Sequence, residues 1–434
     1  MFMRVVNAKE LGLFRREGLP QATLTSAGAI VDDVRLRGDK ALLEYTGKFD
    51  RVRISPDRLR LDQKALRGAY ESTPAKLRTA LERSADRIRR FQQLQLPEPV
   101  SVEISPGVTI GVAFYPLGSV GIYVPGGRAA YPSTVLMTGV PVKMAGVKRV
   151  AMFTPPSSGG IVPAAVLAAA FLAEVDEVFT VGGAQAVAAM AYGTETIGRV
   201  EKIVGPGNTY VQAAKMIVSR DVSVDMPAGP SEVLIYAESP GREEWIATDM
   251  LAQAEHDPEA RVMLVTPDSG LVTRVVEALG RAIQAAPRRE ILEKSMAEAL
   301  VVMVKDREEG IEVINEVAPE HLQLMGDCPR NMLMGVLNAG ATFLGDFSAV
   351  ALGDYSVGTN HVLPTMGWAR RASPLSVRDF LRAREFIRCT REGVAAVGRD
   401  AIAIGEVEGL LNHVRSIQLR MEEAVGKGGT GNEL

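Results

Sequence analysis

The sequence predicts an α/β protein built on two parallel sheets, with helical segments at both ends. Between about residues 119 and 305, short β-branched runs alternate with helical stretches, the order that covers both faces of a parallel sheet with helices. The series restarts at Ser231, so two sheets are expected rather than one. At 434 residues and 47 % apolar composition, the chain is long enough for several domains with their own cores.

The first hundred residues read as charged helices. Thr73-Pro74 offers an N-cap and a pre-set first turn, and Leu77, Leu81, Ile88 and Phe91 follow at helical spacing as a packing face. The arginines between them, Arg78, Arg83, Arg87, Arg89 and Arg90, would suit phosphate, but Glu82 and Asp86 interrupt them and favour a solvated face. The first series then predicts strands at 120–124, 149–154, 177–181 and 201–204, with helices at 133–145, 163–173, 184–192 and 209–218 between and after them. The second predicts strands at 231–236, 261–266 and 300–305, a helix at 243–253 and a long one from about 270 to 297. After Pro374 the chain reads as helical, and the Gly-rich end KGGTGNEL reads as disordered.

Composition removes several function classes. Lys and Arg total 49 against 52 Asp and Glu, a net charge of −3, which gives neither nucleic acid nor an anionic membrane a basic field. Two cysteines, Cys328 and Cys389, are too few for a disulfide framework or a Cys-rich metal site and suit a reducing cytosol. The start MFMRVVNAKELGLFRRE breaks its apolar residues with charge before a signal core forms. The apolar stretch 161–173 contains a Pro and falls short of the roughly 18–20 residues that span a bilayer. A soluble cytoplasmic protein is expected.

Ligands of open parallel sheets collect at the carboxyl ends of the strands. The loops there read Tyr123-Val-Pro-Gly-Gly127, Val181-Gly-Gly-Ala-Gln185 and Gly205-Pro-Gly-Asn208. Glycines admit close backbone approach, and Gln185 and Asn208 bring amides that bond ribose, phosphate or carboxamide. Each loop alone is equally a simple turn; three at one sheet edge favour a nucleotide or dinucleotide site. The fingerprint G-x-G-x-x-G is absent, so the two domains read as Rossmann-like but incomplete.

Histidine is scarce. His256, His321, His361 and His413 are the only four, and the first 255 residues hold none. Gln253 and His256 lie three apart at a helix end, on one face, a spacing that suits a shared metal or a simple cap. Asp354 and His361 flank a Gly-containing loop that would complete a mixed N/O zinc site or form an Asx-turn. Glu320-His321 sets a carboxyl beside an imidazole, the pairing that moves protons near neutral pH. Glu408 and His413 are five apart, which does not stack them on one helical face; serving one site requires a bend or two approaches.

Together, GDKALLEYTGKFD, GIYVPGG, YPSTVLM, GPGNTYV, DMPAGPSEVL, QAEHD, APEHLQL, GDYSVGTNHVLPT and EGLLNH, in this order, resemble the histidinol dehydrogenase family over nearly the whole chain. The resemblance implies oxidation of L-histidinol through L-histidinal to L-histidine with two NAD in succession, the last steps of histidine biosynthesis. It implies one Zn2+ per subunit held by Gln253, His256 and Asp354, with His413 as the fourth ligand from the partner of a homodimer. Tyr123, Gln185 and Asn208 match the family's NAD contacts. Ser231, Gln253, His256, His321, Asp354, Glu408 and His413 match its substrate contacts, and Glu320 and His321 its acid–base pair. His361 is placed behind the site or on its substrate side.

The implied organisation is an arm at 1–25, a metal and catalytic α/β domain at 26–119 plus 230–375, an NAD-side domain at 120–229, and a tail at 376–434 completing the partner's site. The chain departs from the family at Ala349-Val350, where members usually carry Pro-Glu. Two other readings stand beside this one: a paralogous zinc- and NAD-dependent dehydrogenase of another polar alcohol, and a zinc hydrolase in which Glu320 activates water.

Overall fold

The structure, a computed structural model, describes residues 3–13, 18–126, 129–157, 159–226, 229–238, 240–326 and 329–426. Two compact units make up the chain, one of Met1–Gln95 and Leu117–Phe380, the other of Leu96–Pro116 and Leu381–Leu434. In chain order the strands are β1 (Arg4–Asn7), β2 (Arg60–Leu61), β3 (Val100–Ser105), β4 (Val108–Pro116), β5 (Ser119–Tyr123), β6 (Arg149–Phe153), β7 (Glu177–Phe179) and β8 (Lys202–Val204). They continue with β9 (Ser223–Val224), β10 (Glu232–Tyr236), β11 (Arg261–Thr266), β12 (Leu300–Met303), β13 (His321–Leu324), β14 (Ala341–Leu344) and β15 (Leu381–Cys389).

The first unit holds both parallel sheets. One runs β2-β7-β6-β5-β8-β9, parallel except where β2 joins β7; the other runs β1-β12-β11-β10-β13-β14, parallel throughout. Each order reverses direction beside a central strand, β5 in one and β10 in the other, and opens the crevice where α/β sheets bind ligands. Small residues bring helices close to the first sheet: Ala186, Ala188 and Ala189 of the helix Gly183–Tyr192 are fully buried, and Gly121 of β5 leaves room for Met190. Separate apolar clusters cover the second sheet, one around Ile235, Leu264 and Val301, the other around Leu234, Val265 and Leu322. Alternate strand residues thus point to opposite, equally buried faces. The α/β class with parallel sheets is as the sequence predicts.

Several local expectations are corrected. Thr73 does not cap the helix Ala75–Gln93; it ends the helix Gln63–Ser72, and its hydroxyl donates to Ala69 O at 2.7 Å. The long helix expected at 270–297 is two, Ser269–Ala285 and Arg289–Ala297. Ala286 adopts ψ 135° because Pro287 disfavours a helical residue before it. Arg4–Asn7, read as part of a helical arm, forms an edge strand paired with β12. Residues after Pro374 read as helical, yet β15 is a strand that pairs with all nine residues of β4. The arginine face of Ala75–Gln93 is solvated as expected at Arg83, Arg87 and Arg90, with Arg90 paired to Asp86 on the same helix, while Arg87 and Arg89 also donate to Ser356 O and Leu172 O.

The second unit is the antiparallel sheet β15-β4-β3 with the helices Arg391–Val407 and Leu411–Gly426. Gly398 lets Met421 seat against the first of these helices. Cys389 is a free, exposed thiol, whereas Cys328 and the segment 427–434 lie outside the described residues. Among the described residues no helix is long and apolar enough to cross a membrane.

Candidate active site

A cavity of about 2380 Å³ in the first unit is lined at one end by the carboxyl edge of the β5 sheet, with Tyr123, Gln185 and Asn208. Tyr123 ends β5; its buried hydroxyl accepts the Gly183 N–H at 3.0 Å, and burial pushes its pKa up to about 12. Gly183 has φ +70°, a conformation that turns the chain into the next helix and lays its backbone against the Gln185 amide. Gln185 is 1 % exposed, and its Oε1 has no hydrogen-bond partner among the described residues. Asn208 caps the helix Thr209–Val218: its Oδ1 accepts from Tyr210 N and Val211 N, each at 3.1 Å. The cap uses the carbonyl oxygen and leaves the amide N–H groups for a ligand.

Between Tyr123 and Asn208 lies a feature the sequence did not announce. Gly205 has φ +117°, and a side chain there would collide with the Tyr123 carbonyl oxygen. Its N–H donates to Asp225 Oδ2 at 2.7 Å, and its carbonyl accepts from Lys215 Nζ at 3.0 Å. Lys215 and Asp225, both buried, are themselves ion-paired. Both polar groups of one glycine are thereby clamped by a buried pair.

The other end of the cavity is lined by Ser231, His256, Glu320, His321, Asp354 and His361. Ser231, His256, Glu320 and His321 come from the amino edge of the second sheet, the opposite of the edge that strand-end reasoning favours, while Asp354 and His361 lie in the helix and loop that follow β14. Glu320 and His321 sit where β13 begins, beside the start of β10, and are 6 % and 3 % exposed. Glu320 Oε2 accepts the Glu232 N–H at 2.7 Å; burial, with the nearby Glu232 and Asp354 charges, raises its pKa well above the usual carboxyl range.

His321 Nδ1 lies 3.0 Å from the Glu232 carbonyl oxygen. A carbonyl only accepts, so Nδ1 carries the proton and Nε2 presents a lone pair. Burial lowers the imidazole pKa to about 4, so the ring is neutral at pH 7. Nε2 stands 3.8 Å from Asp354 Oδ1, and Nδ1 stands 3.5 Å from Glu320 Oε2.

Gln253, on the helix Glu243–Ala254, is 2 % exposed, and its amide Nε2 has no partner among the described residues. His256 follows that helix, opens into the cavity, and has its pKa lowered by burial. Asp354, on the short helix Val350–Tyr355, is pushed by burial up to about 6. Val350, at the family departure, is buried in the core, while Ser231 precedes β10, its carbonyl accepting the Arg261 N–H at 2.9 Å. His361 donates from Nδ1 to the Asp354 carbonyl at 3.0 Å and accepts at Nε2 from the Thr134 hydroxyl at 3.3 Å. It ties the Asp354 loop to the helix Pro132–Met144.

His256, Asp354 and Gln253 bring an imidazole whose pKa burial lowers, a carboxyl that burial raises to about 6, and an amide, the N/O donor types that suit zinc. Among the described residues no three or more His, Cys, Asp or Glu residues are arranged to hold a metal, and this set supplies two plus an amide. Glu408 and His413 belong to the second unit, and both are exposed. The helix ends at Val407, Gly409 turns at φ +71°, and the next helix starts at Leu411, so a bend separates the two residues.

Against known proteins, the sequence model of the histidinol dehydrogenase family matches residues 15–421. A histidinol dehydrogenase of Acinetobacter baylyi is 46 % identical over 401 residues, covering 92 % of this chain and 93 % of the relative. One of Methanothermobacter thermautotrophicus is 45 % identical over 395 residues, covering 91 % of this chain and 92 % of the relative. A crystal structure of histidinol dehydrogenase from Elizabethkingia anophelis matches with a TM-score of 0.93 at 33 % identity, over 97 % of this chain and 98 % of that one.

Proposed function

This chain belongs to the histidinol dehydrogenase family, an oxidoreductase family of histidine biosynthesis, and from that membership we propose a zinc- and NAD-dependent oxidation of L-histidinol through L-histidinal to L-histidine. The observation that supports it most is the free Nε2 of a neutral His321 facing Asp354 across 3.8 Å. Zinc held by Gln253, His256, Asp354 and the partner's His413 would fix the substrate's imidazole and amino nitrogens, and NAD beside Tyr123, Gln185 and Asn208 would take the hydride.

His321 Nε2 accepts the hydroxyl proton as the carbinol hydride leaves. Its low proton affinity in the empty cavity comes from burial, and a developing alkoxide's proton is taken where no bulk water competes. Glu320, raised by burial, takes a proton from water as that water adds to the aldehyde carbon. The hydrate then loses its second hydride with His321 again as base. Ser231 and Glu408 are assigned to substrate polar groups, with Glu408 and His413 coming from the second copy of a homodimer. Val407 is 90 % exposed and Leu411 69 % exposed beside them, apolar surface that suits cover by another chain.

The assignment is tested with His321→Asn and Glu320→Gln. His321→Asn should slow turnover of both histidinol and histidinal by about 10²-fold or more. Glu320→Gln should spare histidinol oxidation more than histidinal oxidation. Near-normal turnover of both substrates in either variant contradicts the roles. Absence of NADH formation with histidinol and NAD in the wild type would instead favour the hydrolase reading.

A further inference from the structure

Asp50 is a carboxylate that the fold gives no reason to keep. It caps the C-terminus of the helix Asp39–Phe49, where its N–H donates to Thr46 O at 3.0 Å, and the negative end of a helix disfavours an anion. Its Oδ2 is buried without a hydrogen-bond partner among the described residues, and burial pushes the carboxyl up to about 6. The next residue, Arg51, has φ +58°, a costly turn for a side chain other than glycine. An unpartnered carboxyl held by a strained turn at the wrong helix end is the kind of local violation that marks a ligand contact.

Its surroundings indicate which ligand. Asp50 lines the same cavity as Tyr123 and Gln185, near enough to Tyr123 for its charge to raise the phenol pKa. Phe49 also lines the cavity; it is half-exposed and stacks on Tyr45 with ring centroids 5.7 Å apart and planes 7° apart. An acceptor-only carboxylate next to a flat aromatic face matches a nucleoside, whose ribose hydroxyls donate and whose base stacks.

We propose that Asp50 accepts the ribose hydroxyls of the adenosine half of NAD and makes the enzyme select NAD over NADP. The proposal rests on the assignment of Tyr123, Gln185 and Asn208 to NAD. A 2′-phosphate at that ribose would bring negative charge against the carboxylate, whereas Lys48, also on the cavity wall with its Nζ 5.3 Å from the Phe49 ring centroid, is a cation that would attract it once the carboxylate is gone.

The test uses the full-length enzyme as wild type, Asp50→Asn and Asp50→Ser, with L-histidinol and either NAD or NADP, plus thermal unfolding without ligand. In both variants KM for NAD should rise about tenfold or more, the value of a hydrogen bond to a charged group, while KM for histidinol stays within about twofold. The kcat/KM ratio of NADP to NAD should rise at least about tenfold, and Tm should hold or increase. Unchanged NAD KM and unchanged ratio in both variants, with a wild type that reduces NAD, overturn the role of Asp50 alone. A lowered Tm in both without a change in the ratio assigns Asp50 to the fold and overturns it too. A wild type that reduces no NAD with histidinol overturns the NAD assignment beneath it.

Discussion

At His321 one backbone contact fixes the tautomer: Nδ1 donates to the Glu232 carbonyl, and Nε2 presents the lone pair that the proposed base role requires. The adjacency Glu320-His321 is legible in the sequence, but Glu232 as the shared backbone partner of both is not, because β10 and β13 pair across about ninety residues of chain. The same holds for His361, whose tie to Asp354 O and Thr134 has no local signature. His361→Ala frees the Asp354 loop, and zinc affinity, measured by competition with a chelator, should fall about 10- to 100-fold with the fold retained. Asp50 gives a pH prediction. Its pKa is raised on folding from 3.8 to about 6, so the folded state binds the extra proton and stability from this group is lost as pH rises from about 4 through 6. Urea unfolding of Asp50→Asn should gain on the wild type above pH 6 and match it near pH 4; an equal difference at both pH values contradicts the assignment.

At the scale of elements, the strand-end rule located Tyr123, Gln185 and Asn208, since those loops follow strands that the β-branched pattern makes visible. It did not locate Ser231, Glu320 or His321, which occupy the amino edge of the other sheet. Sequence patterning also missed the local hairpin of β3 and β4, and β15, whose pairing with β4 joins residues some 270 positions apart and has no local partner to announce it. The Gly205 clamp is a second non-local device. Lys215→Ala strands Asp225 as a buried unpaired charge and should cost about 3–5 kcal/mol in urea unfolding. A Lys215→Met, Asp225→Leu double variant should recover much of that stability yet keep a raised KM for NAD, because nothing then holds Gly205. Recovery of both would mean the pair serves the fold alone.

For the whole molecule, the first unit contains every assigned residue except Glu408 and His413. Their exposure on the second unit, beside uncovered Val407 and Leu411, is what the expectation of a shared homodimer site requires of a single chain. Composition carries no sign of such sharing; the five-residue spacing of Glu408 and His413 calls for a bend or two approaches if both serve one site, and the Gly409 turn supplies a bend. Mixing inactive His413→Ala with inactive His256→Ala should restore part of the activity through heterodimers carrying one intact site, whereas no restoration after proven subunit exchange contradicts the cross-subunit ligand. The central claim is that one site performs both oxidations. Its most direct measurement is the NADH formed per L-histidinol consumed in a closed reaction run to completion. Two NADH with L-histidine as product is the predicted result, and one NADH with accumulating aldehyde would contradict it.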